Sequence, residues 1–266
     1  MKTPAQDHSD RDYWIVLGVF SAAMMAFVVV NREVPRETRS LNTWLRDLGA
    51  TETYRRTSAE TAVRRMGTRI VPALLARLES SNTNDQARAI LGFEALGAAG
   101  RHAIPSLTAL LRVESTSLPA ARALAAIGPA AVPLLTNSLG SPFRPVRTSC
   151  ARALGRLRAD GRLAVPALVG VLNDDDDDLR YFAARALGNL AAEPVQSVPA
   201  LVSRLEDPNM EVRKIAARSL GQFHGRARGA VPALRKALNN DEEAVKLTAA
   251  YALREINPAI AVDGMR

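Results

Sequence analysis

Two sets of basic residues recur in this chain at a fixed interval. Arg147, Arg180, Arg213 and Lys246 stand 33 residues apart, as do Arg152, Arg185 and Arg218, and Tyr251 takes the next step of the second set. Arginine carries a planar fork of N–H donors and stays charged at any pH near neutrality, so it suits carboxylate and phosphate recognition, not proton abstraction. These eight residues are therefore the candidate partner-binding positions. Residues fit for catalysis do not form a comparable pattern. His8, His102 and His224 are scattered and none is followed by Glu, so no paired metal ligands are expected. There is no Gly-x-Ser-x-Gly elbow and no Gly-rich loop ending in Lys-Ser or Lys-Thr. The acidic run Asp174 to Asp178 lacks the Gly and distal Glu of a calcium loop and reads as a solvated turn. Cys150 is the only cysteine, which excludes an internal disulfide. Steps of 33 from it reach Ala183, Ala216 and Ala249, so it is expected as a buried packing residue. The expectation is a chain that is not an enzyme, with no metal, no cofactor and no small-molecule substrate.

The elements that position these residues follow from two phrases with the same interval. Pro133, Pro166, Pro199 and Pro232 are 33 residues apart, in contexts such as Val165-Pro166-Ala167-Leu168. Proline has no amide hydrogen to lose at the first helical position and its φ is already helical, so each phrase should open a short first helix. The second phrase runs Ala153-Leu154-Gly155, Ala186-Leu187-Gly188, Ser219-Leu220-Gly221 and Ala252-Leu253-Arg254. It belongs to a second helix, which in one repeat should run from about Asp178 to Leu190 behind an acidic N-terminal turn. Its alanines allow close approach of neighbouring helices, and the glycine that follows is expected to end it. Looser copies lie upstream at Ile70-Val71-Pro72 and Ile104-Pro105. One such pair cannot bury its own apolar faces, so the pairs must stack.

Val-Pro-Ala-Leu, an Asp-rich turn, Val-Arg or Leu-Arg, and Ala-Arg-Ala-Leu-Gly together resemble the HEAT-like repeat of phycobilin lyase subunits, over roughly residues 58–266. The resemblance implies an all-α, right-handed α-α solenoid of six helix pairs behind a leading half repeat, with the second helices on the concave face. It also implies a ladder in which turn aspartates such as Asp178, Asp207 and Asp241 hydrogen-bond to arginines of the second helices. The whole layout is similar to membrane-anchored HEAT-repeat proteins of planctomycete and verrucomicrobial bacteria, with Leu41-Asn42-Thr43-Trp44-Leu45 ahead of the array. That resemblance carries no biochemical activity with it.

Composition sets the remaining limits. The chain is 47% hydrophobic and only 5% aromatic, which fits one extended helical domain with appendages. Tyr13 to Val30 is a run of 18 uncharged residues, about 27 Å as a helix, with Tyr13 and Trp14 placed for an interfacial belt. An uncleaved single-pass anchor is expected over 13–30, after a tail over 1–12 that contains Asp7, Asp10 and Asp12. Lys2 and Arg11 balance Arg32, Arg36, Arg39 and Arg46 across it, and the repeat domain is placed outside the cytoplasm by a narrow margin. Residues 31–57 read as a linker and a cap helix in which Leu41, Trp44 and Leu45 cover the end of the array behind Ser40. Residues 31–266 hold 33 Lys and Arg against 24 Asp and Glu, a net +9. The function expected is a membrane-tethered scaffold that binds a protein partner on its second-helix face. Binding of nucleic acid or another polyanion is the alternative, and a lyase-like or chaperone role by analogy of repeats is a second one.

Overall fold

A computed structural model describes residues 39–157, 159–239 and 242–258. The expected membrane span over 13–30, with Tyr13, Trp14 and Val30, lies outside the described residues, as does Asp241. Among the described residues no helix is long and apolar enough to cross a membrane, and there is no β-strand. The chain divides into two compact units, Met1–Trp44 and Leu45–Arg266.

Of the first unit residues 39–44 are described. They contain the start of α1 (Leu41–Asp47), where the Thr43 N–H donates to Ser40 Oγ at 3.3 Å, the cap expected from the sequence. Trp44 is 2% exposed and the Arg39 guanidinium lies 5.1 Å from its ring centroid, whereas Leu41 is only half-buried.

The second unit begins with fully buried Leu45 and a single helix, α2 (Thr53–Met66). Helix pairs follow: α3 (Val71–Leu78) with α4 (Thr83–Leu96), α5 (Ile104–Leu110) with α6 (Glu114–Ile127), and α7 (Val132–Asn137) with α8 (Arg144–Leu154). After them come α9 (Val165–Gly170) with α10 (Asp177–Leu190), α11 (Pro194–Ser203) with α12 (Met210–Gly221), and α13 (Val231–Ala237) with α14 (Glu243–Ile256). Each second helix packs on its own first helix and on the second helix of the next pair. The repeated unit of burial is thus an interface between pairs, as in a solenoid.

Side chains at equivalent positions explain the stacking. The seventh residue of α2, α4, α6, α8, α10, α12 and α14 is Ala59, Ala89, Ala120, Cys150, Ala183, Ala216 and Ala249, and all seven are fully buried. Small residues there let successive second helices approach closely. Burial pushes the Cys150 thiol up to about 12, with Ser138 opposing, which leaves it protonated and unreactive at neutral pH.

Two sequence expectations need correction. The glycines of the Ala-Leu-Gly phrase stand at the ends of α8 and α12, as expected, though without a left-handed turn, and α10 runs on past its glycine. Gly188 lies within α10, Gly221 is the last residue of α12, and Gly155 has helical backbone at φ −67°. Their role is clearance: a Cβ on Gly155 would sit 2.8 Å from Ala186 Cα, and one on Gly188 would sit 2.4 Å from Ser219 Oγ. Left-handed glycine termini do occur, but upstream, at Gly97 (φ 51°) and Gly128 (φ 92°). Nor does Pro199 open its helix. It sits inside α11, which starts at Pro194 after Glu193 at φ 46°. An earlier proline takes the first position, and the bond that Pro199 cannot donate would have gone to Val195, which is exposed to solvent.

Candidate partner-binding face

The two basic columns occupy different positions on the second helices, and this gives them different surroundings. Arg147, Arg180, Arg213 and Lys246 are the fourth residues of α8, α10, α12 and α14; Arg152, Arg185, Arg218 and Tyr251 are the ninth.

At the fourth position each arginine clasps its own turn and the next one. Arg147 donates to the Ser141 carbonyl at 3.1 Å and to Asp176 Oδ2 at 3.0 Å. Arg180 donates to the carbonyls of Asp174 and Asp175 and forms a two-point pair with Asp207, both bonds at 2.9 Å. Arg213 donates to the Asp207 and Pro208 carbonyls and, at 2.6 Å, to Glu242. Lys246 pairs within its own helix with Glu243 at 3.5 Å. In α4 and α6 the position holds uncharged residues with related jobs: Gln86 donates to the Leu78 and Ser80 carbonyls, and Ser117 donates to the Pro145 carbonyl.

The carboxylates of this ladder are tuned by it. Burial pushes the Asp207 carboxyl up, but hydrogen bonds from Arg180 and the Asn209 N–H, with the charges of Arg180 and Arg204, hold it below the usual carboxylate range. For Asp176 burial again acts upward, and Arg144, the Leu179 N–H and Arg147 outweigh it. Asp176 also caps α10, accepting from the Asp178 and Leu179 N–H groups. The working acceptor in this turn is thus Asp176, while Asp178, the residue expected in the ladder, instead accepts from exposed Arg144 at 2.6 Å.

At the ninth position the arginines are exposed and have no carboxylate partner among the described residues. Arg152 lies 4.9 Å from the Phe182 ring centroid, and Tyr251 is 48% exposed, with the Arg254 guanidinium 5.3 Å from its ring. The structure adds a member that the interval of 33 hid: Arg122 is the ninth residue of α6, only 30 before Arg152. Its signal was the phrase Ala121-Arg122-Ala123-Leu124, identical to Ala151-Arg152-Ala153-Leu154. Shorter connections between the pairs upstream shift the register without changing the face. Arg122 Nε is buried and lacks a hydrogen-bond partner.

Two cavities open along this column. One of about 140 Å³ lies among α6, α8 and α10 and is lined by Arg122, Arg152, Arg156 and Arg185. Another of about 540 Å³ lies between α12 and α14, against Arg218, Tyr251 and Glu255. No cluster of metal-ligating residues occurs among the described residues.

The sequence profile of HEAT repeats matches the chain over residues 114–188 and 165–254. No curated protein matches it. Among solved structures, an engineered protein is similar at 24% identity and TM-score 0.51, over 83% of this chain and 100% of that one. A second engineered protein has 25% identity and TM-score 0.48, over 83% of this chain and 98% of its own. A designed armadillo repeat protein in complex with the peptide (KR)4 has 18% identity and TM-score 0.43, over 82% of this chain and 100% of that one.

Proposed function

This chain belongs to the HEAT-repeat family, and we propose that it is a binding scaffold which holds an acidic, extended segment of a protein partner along the exposed arginine column of its second helices. One observation carries the reading. The fourth-position arginines are consumed by turn carboxylates and carbonyls, whereas Arg122, Arg152, Arg185 and Arg218 have no carboxylate partner among the described residues. A row of unneutralised guanidiniums on successive helices offers an anionic chain one contact per repeat. In the right-handed solenoid that the resemblance to HEAT-like repeats implies, with second helices on the concave face, this row would lie on the concave side. Tyr251 extends it with an aromatic surface at its C-terminal end. The apolar run 13–30 supports a tether, which would raise the effective concentration of a membrane partner.

The test is fluorescence anisotropy of a labelled glutamate-rich peptide against the full-length protein in detergent micelles. The triple variant Arg152→Glu, Arg185→Glu, Arg218→Glu is expected to lose binding by about a hundredfold or more at an unchanged melting temperature. Retained binding in that variant would overturn the reading. So would tighter binding of a single-stranded oligonucleotide than of the peptide at matched salt, which would favour the polyanion alternative.

A further inference from the structure

The cavity among α6, α8 and α10 has a chemistry of its own. Four guanidiniums line it, Arg122 from α6, Arg152 from α8, Arg156 just beyond the end of α8 and Arg185 from α10, and among the described residues the one carboxylate paired with any of them is Glu94, 4.0 Å from Arg156. The Arg122 guanidinium is pushed towards deprotonation by burial first and by the charge of Arg156 second. Arg152 is pre-placed against the Phe182 ring. Gly155, Ala186 and Asn189 also line it, and a Cβ on Gly155 would sit 2.8 Å from Ala186 Cα, so the helices are close there.

We infer that this cavity is a binding site for a phosphomonoester dianion. Four arginines less one glutamate leave a surplus that a single carboxylate cannot balance, and a phosphomonoester brings close to two negative charges and three terminal oxygens. The arginine forks match those oxygens in pairs. The volume of about 140 Å³ is roughly ten times the ~15 Å³ that one water requires, which leaves room for a phosphate-sized group. The cavity between α12 and α14 is the internal contrast. It has the same position in its repeat, but its lining holds a single guanidinium, Arg218, together with the Glu255 carboxylate, so it carries no such surplus. The inference rests on the acidic-partner reading only for the way the group is delivered, as a phosphorylated side chain on the bound segment.

Calorimetry on the full-length protein tests it with three glutamate-rich peptides that differ only in a central phosphoserine, glutamate or serine, and with methyl phosphate followed by phosphorus NMR. The phosphoserine peptide is expected to bind about tenfold tighter than the glutamate one. Arg122→Gln and the exposed Arg156→Gln should each erase that preference, while Arg218→Gln should keep it. Equal affinity for the phosphoserine and glutamate peptides would overturn the site and leave the acidic-segment reading standing. A preference that survives both pocket variants would overturn it as well. Methyl phosphate bound in a manner sensitive to Arg156→Gln, without binding of any peptide, would support the site as one for free phosphomonoesters and overturn the acidic-segment reading. No binding of any probe would overturn both.

Discussion

A single substitution separates the two arginine roles. Asp207 is 2% exposed and Arg180 8%, so neutralising the aspartate leaves a buried guanidinium with its main partner gone. Asp207→Ala is expected to cost about 3–5 kcal/mol of stability. Arg218→Ala, at an exposed site with no ion pair among the described residues, should stay within about 0.5 kcal/mol of the parent. Chemical denaturation of both variants checks the contrast. The same pair sets a pH dependence. A carboxylate depressed in the folded state contributes stability that is full above its unfolded pKa of about 3.9 and is lost as pH falls through the folded value. Asp207 and Asp176 both lie in this class. Melting temperature should therefore hold from pH 7 to about 5 and drop steeply below about pH 4, and the drop should be shallower in Asp207→Asn.

Among the helices, glycine carries opposite consequences at two positions that composition does not distinguish. Gly155 faces Ala186 Cα at 2.8 Å from a would-be Cβ, while Gly170, at the end of α9 with helical φ −57°, has nothing within 4 Å of one. Gly155→Ala should force α8 and α10 apart and cost about 1–3 kcal/mol, whereas Gly170→Ala should stabilise by about 0.5–1 kcal/mol. Thermal melts of the two variants are sufficient. The reason is that spacing between second helices is set by the smallest residues at their crossings. The same crossings bring Phe182 beneath Arg152 and so shape the 140 Å³ cavity.

For the molecule as a whole, the distribution of carboxylates matters more than the net charge. Residues 31–266 carry a net +9, yet the acids cluster in the turns and at helix starts, where they cap helices and close the ladder. The ninth-position face is left positive by default. An acidic partner held there should bind more weakly as salt rises, but a protein segment with apolar contacts should resist moderate salt better than an oligonucleotide. The proposed tether makes a separate prediction about placement. With the repeat array outside the cytoplasm, an alkaline phosphatase fused to Arg266 should be active and a fluorescent-protein fusion dark. The reverse outcome would move the array inside.

The sequence by itself determined the repeat, the all-helical class and the pairing of helices, because proline at a helix start and alanine at a crossing act through local geometry that recurs with the repeat. It also placed Cys150 correctly in a column of small residues, and it singled out both arginine columns. It did not determine which column is occupied. The fixed interval is the same for Arg180 and Arg185, and only the three-dimensional reach to Asp207 in the next turn consumes one and leaves the other. Nor did periodicity find Arg122, since the connection before Arg152 is shorter there. The glycines of the repeated phrase mark the ends of α8 and α12 as the sequence suggests, but in α10 Gly188 is passed over, and at Gly155 and Gly188 the missing side chain is also a point of clearance between neighbours. Each of these was decided by contacts between repeats, which depend on distances across the stack that a linear interval does not contain.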